Sequence, residues 1–420
     1  MSRLLDTIAP PRLGSGFRLL LASSWTSNIG DGIALAAGPL LVASKTDQEF
    51  LVALAALLQW LPPLVFGLWA GALTDRLDRR LIVVTVNLMR TVVLALLALA
   101  VATDVASIAL VLVAMFLLGT AEVFVDNTSS TLLPMLVHRD DLAIGNARLL
   151  TGAITINQLA GPPIGALLFT AGQFVPFATQ ALVVLLAALI IARLRLPEHR
   201  RAPDVARPVW HDIVEGVRWT WHHAAVRTLV LTILIFNFTF GAAWSVLVLY
   251  ATEHLDLGSL GFGLITTVGA VGALVGTVSY GWLTRRISLG NLMRIGLIIE
   301  TFTHLGLAST ANPYVALPIF FVFGAHAFVW GTTSITIRQR AVPTELQGRV
   351  GAVNLVGVYG GLVVGAAIGG VLAQHWGVTA PFWFAFVGSA VFVVLIWRQL
   401  SHIAHADEAV SSPELDAPPG

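Results

Sequence analysis

The chain has 420 residues, of which 56% are hydrophobic and 11% are charged, and its mean hydropathy is +0.83. A soluble domain has about 25% charged residues, so this composition excludes an ordinary soluble protein. The formal net charge is +1, and cysteine is absent, which excludes disulfides, thiol redox chemistry and cysteine-based metal sites.

Twelve apolar runs are each long enough to cross a membrane as a helix, which takes about 20 residues. Barrel strands would show short alternating segments instead, so the sequence predicts an all-α integral membrane protein. The predicted spans 1 to 12 lie near residues 17–42, 50–73, 81–102, 106–127, 150–170, 175–195, 227–250, 260–283, 291–309, 314–335, 351–373 and 379–398.

Span 1 carries an acidic residue near the middle of its length. Ser24, Ser27, Asn28 and Asp31 recur at spacings of three and four and therefore share one helix face. A carboxylate at membrane depth is costly and is rarely placed there without a function. Asp31 is therefore predicted to carry a coupling proton or to contact a cationic substrate. The alternative is a structural ion pair, for example with Arg90 of span 3.

A dense charge cluster separates spans 2 and 3, in the segment Gly71-Ala-Leu-Thr-Asp75-Arg76-Leu-Asp-Arg79-Arg80. The chain has 24 lysines and arginines, and Lys45 is its one lysine. With an even number of spans and both termini in the cytoplasm, the arginines are predicted to fall on or near the cytoplasmic side, with Lys45 outside. The positive-inside rule therefore predicts this orientation.

Spans 4 and 5 carry the next two patterns. Glu122 and Asp126 are four residues apart on span 4, and Glu122 is a second candidate for proton coupling, with pairing to Arg90 again the alternative. Span 5 contains Gly161-Pro162-Pro163-x-Gly165, which predicts a kink and close helix packing.

The longest connection, near residues 196–226, divides the chain into two sets of six spans. Within it, apolar residues recur at helical spacing, which predicts an amphipathic helix on the inner leaflet of the membrane or, alternatively, a solvated linker helix. These apolar residues are Trp210, Ile213, Val214, Val217 and Trp221.

The second half of the chain has fewer acidic residues in its spans. Asn237, Gly241 and Trp244 share a face of span 7, and His326, Trp330 and Thr333 share a face of span 10. His326 is either a group that titrates near neutral pH or a hydrogen-bonded helix contact. Glu300 and His304, four residues apart on span 9, are interpreted as a structural pair. Span 11 has a smooth stripe at Gly357, Gly361, Gly365 and Gly369, which predicts close helix contact.

The two halves of the sequence align at four places, in chain order and at a nearly constant offset. Gly71-Ala-Leu-Thr matches Gly281-Trp-Leu-Thr, and Asn28-x-x-x-Gly32 matches Asn237-x-x-x-Gly241. Gly161-Pro-Pro-Ile-Gly165 matches Gly365-Ala-Ala-Ile-Gly369, and Pro176-Phe177 matches Pro381-Phe382. A parallel repeat of this kind is typical of transporters with two six-helix halves and a substrate site near the bilayer midplane.

Over residues 15–400 the chain resembles the major facilitator superfamily. Residues 71–80 are similar to its signature Gly-x-Leu-x-Asp-Arg-x-Gly-Arg-Arg, with Asp78 in place of glycine. Within the superfamily, the chain looks most like twelve-helix bacterial exporters related to the enterobactin exporter and to macrolide and multidrug efflux proteins. The span 5 motif of Gly161, Pro162 and Gly165 also resembles an exporter motif, with Asn157 in place of an upstream glycine.

The resemblance implies roles for several of these residues. In the loop signature it implies a cytoplasmic gate, in which Arg79 reaches Asp126 and Asp75 caps a helix or pairs across an interface; the alternative is that Arg76, Arg79 and Arg80 only anchor the topology. It also implies that spans 1 and 4 line the substrate cavity. By the repeat, spans 7 and 10 line the other wall, which places Asn28, Asn237, Trp244, His326 and Trp330 at the cavity.

Taken together, the sequence predicts a monomeric, proton-coupled exporter of small amphipathic molecules in the inner or plasma membrane, with no nucleic-acid partner. An uptake symporter and a non-transporting membrane sensor or partner subunit are the alternatives. No enzyme activity, cofactor or metal site is predicted, and no phosphate-binding loop exists because Lys45 follows Ser44. The predicted domains are residues 1–195, a central loop at 196–226, residues 227–400, and a disordered tail at 401–420.

Overall fold

A computed structural model of the chain describes residues 10–196, 209–343 and 346–400. These residues form fourteen main helices, and no strand occurs among them. The helices are α1 (Gly14–Lys45), α2 (Glu49–Arg76), α3 (Arg79–Ala102), α4 (Ile108–Ser130), α5 (Leu142–Gly152), α6 (Gly161–Ala171), α7 (Val175–Ile191), α8 (Val209–His222), α9 (Ala224–Trp244), α10 (Gly258–Thr284), α11 (Leu289–Ser309), α12 (Pro313–Ala341), α13 (Gln347–Trp376) and α14 (Ala380–Ile396).

Short helical segments join several of these elements. Two single turns of 3-10 helix lie at Pro11–Leu13 and Arg139–Asp141, and two short α-helical turns lie at Leu133–Leu136 and Leu247–Leu249. Two segments are π-helical, Ala153–Ala160 between α5 and α6 and Tyr250–His254 after α9.

The twelve predicted spans correspond to these helices, so the prediction of an all-helical protein is confirmed for the described residues. In the described part of the chain, seven helices are long and apolar enough to cross a membrane, and α7 and α14 are shorter apolar helices. Span 1 is α1 and span 9 is α11, both of which contain several polar side chains. Span 5 is the continuous run of α5, the π-helical segment and α6.

Helix boundaries follow from local sequence. The side chains of Asp78, Ser107 and Ser288 accept hydrogen bonds from the first-turn amides of α3, α4 and α11, which satisfies donors that a helix leaves unbonded. Asn312 does the same for α12, directly before Pro313. At the end of α13, Gly377 has φ +85°, a left-handed conformation that favours glycine.

The chain divides into two compact units. The first contains the described residues up to 196 together with Ser245–Thr267, and the second contains 209–244 and the described residues from Val268 onward. The segment that includes Leu247–Leu249 and the start of α10 thus groups with the first unit. The domain boundaries inferred from sequence stay predictions, and the tail at 401–420 lies outside the described residues.

The first unit has a buried apolar core at the end where α1 begins and α4 ends. Its members are Leu13, Phe17, Leu20, Leu21, Val83, Val125, Leu132, Leu133, Ile191 and Leu194. The second unit has a core between α9, α11, α12 and α14, made of Leu229, Ile233, Phe236, Met293, Leu297, Ile337, Ile396 and Leu400.

Glycines allow the closest helix contacts in both units. In the first, a Cβ on Gly32 of α1 would lie 2.6 Å from the Asn157 carbonyl oxygen, and Gly161 and Gly165 of α6 meet the backbone of α1 in the same way. In the second, the stripe on α13 lies against α9, and a Cβ on Gly365 would overlap the carbonyl oxygen of Phe238. These contacts are the close packing that both glycine patterns predict.

Candidate functional site

The most buried charged group of the first unit is an ion pair between α1 and α3. Arg90 Nη2 donates to Asp31 Oδ1, and Arg90 Nη1 donates to Asn87 Oδ1 at 3.3 Å. The Arg90 side chain is 3% exposed and the Asp31 side chain 15%. Ser27 Oγ completes the contact by donating to Asp31 Oδ2 at 3.1 Å. Arg90 lies in the middle of α3. The expectation that the arginines lie on or near the cytoplasmic side of the membrane therefore does not hold for Arg90.

Two further carboxylates on α4 lie near this ion pair. Glu122 and Asp126 are exposed at the surface of α4, and both act electrostatically on the Arg90 guanidinium, Glu122 more strongly than Asp126. Three carboxylates therefore face one guanidinium, which leaves a formal charge of −2 when all are ionised. Such an excess of negative charge at membrane depth favours the uptake of protons or of a cationic ligand.

The predicted polar face of α1 is only partly directed at this site. Ser27 bonds to Asp31, whereas the Asn28 side chain donates to the carbonyl oxygen of Ser24 at 2.8 Å and so bonds within its own helix. In the second unit Asn237 behaves in the same way and donates to the Ile233 carbonyl oxygen at 2.8 Å. Both side-chain amides donate to a carbonyl oxygen of their own helix. Their predicted contact with substrate stays a prediction.

The charge cluster between α2 and α3 contacts the ends of neighbouring helices. Arg79 Nη1 donates to Met135 Sδ at 3.1 Å and to the Thr131 carbonyl oxygen at 3.5 Å, and Arg80 Nη1 donates to the Leu194 carbonyl oxygen at 3.1 Å. The surroundings of Gly71 and the side chains of Asp75 and Arg76 are outside what the structure describes. The gate and the pairing of Arg79 with Asp126 stay predictions.

Asp78, the departure from the superfamily signature, has a local structural role. Its carboxylate accepts from the Leu81 amide at 3.0 Å and caps the N-terminus of α3. A cap of this type is worth about 1 kcal/mol. The sequence signal was present, because aspartate directly before a helix is a preferred cap, but Asp78 was noted above only as a departure from the signature.

The span 5 motif combines an irregular helix with close packing. The π-helical segment Ala153–Ala160 ends directly before Gly161, and Pro162 is the second residue of α6, where the missing amide hydrogen is tolerated. The sequence predicted a proline kink and did not predict the π-helix. A π-helical turn often marks a functional segment of a helix.

The second unit holds a buried acidic residue between two histidines. Glu300 Oε2 lies 3.7 Å from Nε2 of His326, and Glu300 Oε1 lies 3.9 Å from Nε2 of His304. The structure therefore joins His326, on α12, to the pair that the sequence places on α11. Sequence reasoning missed this contact because no local pattern connects residues on different helices.

Aromatic rings surround this acidic residue and its histidines. Trp244 at the end of α9 stacks on Phe240 at 4.4 Å between centroids and meets the His304 ring edge-on at 5.9 Å. Phe323 meets the His326 ring edge-on at 5.5 Å. Trp330 is partly buried and packs beside Gly296.

Known proteins similar to this chain are transporters. A family model described as transmembrane secretion effector matches residues 6–419. The multidrug efflux pump Tap of Mycolicibacterium fortuitum is 29% identical over 87% of this chain and 90% of its own length. Macrolide efflux protein A of Streptococcus pyogenes is 21% identical, covering 90% of this chain and 94% of that protein.

A solved structure confirms the fold. The inward-facing structure of a bacterial homologue of the iron transporter ferroportin has a TM-score of 0.74 at 16% identity, over 92% of this chain and 98% of that chain. An identity this low supports the fold alone. With the family match over nearly the whole sequence, the chain is a multi-pass membrane protein that belongs to the transmembrane secretion effector family of major facilitator transporters, which is not an enzyme class.

Proposed function

We propose that this protein exports small amphipathic molecules, such as drugs, macrolides or siderophores, in exchange for protons. The names of its relatives support efflux as the direction of transport. The observation that carries the proton coupling is the ion pair between Asp31 and the buried Arg90, with Glu122 acting electrostatically on the same guanidinium.

The mechanism follows from charge balance at Arg90. While Asp31 is ionised, its negative charge neutralises the guanidinium, which would otherwise be an uncompensated charge in a medium of low dielectric constant. A proton on Asp31 removes that partner, and Arg90 then depends on Glu122. Proton binding and release at either carboxylate thus changes which helix, α1 or α4, is held against α3. A cationic substrate that approaches the same carboxylates competes with the proton, which is the requirement for exchange.

The proposed setting is the inner or plasma membrane, with both termini cytoplasmic and the protein acting as a monomer. Arg79 and Arg80 lie at one end of the first unit, while Lys45 lies at the other end, where it bonds to Asp104 at 3.1 Å. This separation of many arginines from the single lysine supports the orientation.

The amphipathic helix α8 supports contact with the inner leaflet. Arg349 of α13 pairs with Glu215 of α8 at 2.8 Å and fixes the helix, while the apolar side chains of Val214, Val217 and Trp221 are exposed. An exposed apolar face of this kind is suited to the boundary between headgroups and acyl chains.

Efflux assays test the proposal. In a bacterium that lacks its own efflux pumps, the wild-type protein should lower the accumulation of a lipophilic cationic dye. Asp31→Asn and Glu122→Gln should each raise accumulation to the level of cells with empty vector, because the exchangeable proton site is lost. In everted vesicles, an imposed pH gradient should drive dye uptake by the wild type but not by the variants.

Asp104→Asn is the matched control. Asp104 is exposed, and its backbone has φ 56°, which asparagine adopts readily, so this variant removes a paired carboxylate outside the proposed site. It should retain efflux. Proton-dependent efflux that is unchanged in both Asp31→Asn and Glu122→Gln would contradict the coupling assignment.

A further inference from the structure

The cluster of Glu300, His304 and His326 in the second unit has features of a proton-binding site. The His304 side chain is fully buried and that of His326 is 4% exposed, while the Glu300 side chain keeps 11% of its surface exposed. Among the described residues, no atom forms a hydrogen bond with either nitrogen of the two imidazole rings. Buried polar nitrogens without partners are uncommon in folded proteins.

The charge of the cluster depends on how many protons it holds. With both imidazoles neutral and Glu300 ionised, the cluster has a buried charge of −1. One added proton, on an imidazole or on the carboxylate, makes it neutral, and a second makes it +1. Because a net charge in an apolar interior is strongly unfavourable, the state with one added proton is the one that the surroundings favour.

No charged group on α11 or α14 takes the place of this proton. Arg294 lies six residues before Glu300, donates to Asn291 Oδ1 at 3.2 Å, and places its guanidinium 5.5 Å from the ring centroid of Trp397. Six residues are about 9 Å along a helix. Helix α14, which packs on α11, contains no titratable residue.

The other helices near the cluster also keep their titratable groups at a distance. On α12 these groups are Tyr314, Arg338 and Arg340, each at least twelve residues, or about 18 Å, from His326. Helix α10, which touches α12 at Gly272, contributes only Tyr280, and α9 contributes only Arg227 near its first residue, far from Trp244.

We propose that Glu300, His304 and His326 together bind one exchangeable proton inside the second unit, separate from the site at Asp31 and Glu122. The proton is shared between a carboxylate on α11 and an imidazole on α12. It converts the 3.7 Å contact between Glu300 and His326 into a charge-assisted hydrogen bond that holds the two helices together. The partial exposure of Glu300 provides the route by which the proton enters and leaves.

The aromatic rings that pack on the two histidines extend the effect of this proton to the packing of neighbouring helices. Trp244 lies on His304 and Phe323 lies on His326, so a change in the position of either imidazole changes the packing of α9 against α11 and α12. The proposal concerns proton binding alone. It holds or fails whether or not the chain exports drugs.

Nuclear magnetic resonance of the full-length protein in lipid nanodiscs tests the proposal. The protein is labelled with 15N in histidine and 13C in the glutamate carboxyl groups, and His304→Asn and His326→Asn assign the signals. Between pH 5 and pH 9, one added proton should appear and disappear on His304, His326 or Glu300. Rings that stay neutral beside an ionised Glu300 over this whole range would overturn the proposal, as would a proton that never leaves.

Glu300→Gln provides the second measurement. Without the carboxylate, a protonated imidazole would be an isolated buried cation, so the protonated signal of the wild type should be absent from both rings. The exposed His375, which bonds to the Val371 carbonyl oxygen, is the internal control and should titrate as in the wild type. An unchanged titration of His304 and His326 in Glu300→Gln would contradict the shared proton. If this variant fails to fold, the wild-type titration decides alone.

Discussion

The two units of this transporter hold their ionisable side chains in different ways. In the first unit, three carboxylates lie near one buried arginine, and two of them are exposed on α4. In the second, a single carboxylate lies between two imidazoles under a cover of aromatic rings. The first arrangement has an excess of negative charge and attracts cations, whereas one proton is enough to neutralise the second.

Breaking the ion pair of the first unit should have the largest effect. Arg90→Leu leaves Asp31 partly buried without its cation, and removing one partner of a buried pair costs about 3–5 kcal/mol. We expect a marked loss of folded protein and a lower denaturant midpoint in detergent. The measurement is equilibrium unfolding followed by tryptophan fluorescence.

The double variant Asp31→Asn with Arg90→Leu separates charge from packing. It removes both charges, so it should be more stable than Arg90→Leu alone, although it should not transport. If the double variant is as unstable as the single one, the Arg90 side chain stabilises the unit by packing and not by pairing with Asp31.

The close contact between α9 and the glycine stripe of α13 can be tested by the addition of a single methyl group. Gly365→Ala places a Cβ against the carbonyl oxygen of Phe238, so α9 and α13 must move apart. Overpacking of this kind typically costs about 1–3 kcal/mol. Thermal unfolding in detergent should show a lower midpoint for this variant.

Gly360→Ala is the matched control on the same helix. A Cβ at Gly360 meets no atom within 4 Å, and alanine favours a helix over glycine by about 1 kcal/mol. This variant should be as stable as the wild type or slightly more stable. Equal losses in the two variants would show that flexibility of α13, and not contact with α9, makes glycine necessary at Gly365.

Sequence reasoning predicted the spans well and the long-range contacts poorly. Runs of about 20 apolar residues are a strong local signal, and each of the twelve has a helix in the structure. The partner of Asp31 stayed open because Arg90 is 59 residues away on another helix. The π-helical segment before Gly161 has no simple sequence pattern, and the contact of its Asn157 with Gly32 of α1 joins residues far apart in the chain. The contact of His326 with Glu300 was missed because these two residues also lie on different helices.

The smallest predicted effect concerns Glu253, which lies in the segment Ser245–Thr267 of the first unit. Partial burial, and then the nearby carboxylates of Glu49 and Asp47, raise the pKa of Glu253 above its ordinary value. A carboxyl group whose pKa is higher in the folded than in the unfolded protein favours folding at low pH. That contribution is lost as the pH rises from about 4.3, the ordinary glutamate value, through the folded-state pKa.

Glu253→Gln should therefore change how stability depends on pH. Because glutamine stays neutral, the variant should be more stable than the wild type at pH 8, and this advantage should shrink as the pH falls towards 4. Melting temperatures in detergent at several pH values measure the difference. Asp256→Asn, which removes a carboxylate three residues away at a backbone φ of 51°, controls for the loss of one negative charge. Parallel pH profiles for the wild type and Glu253→Gln would show that the acidic residues around Asp47 do not destabilise this end of the first unit. The greater negative charge of that unit would then be confined to the site around Arg90.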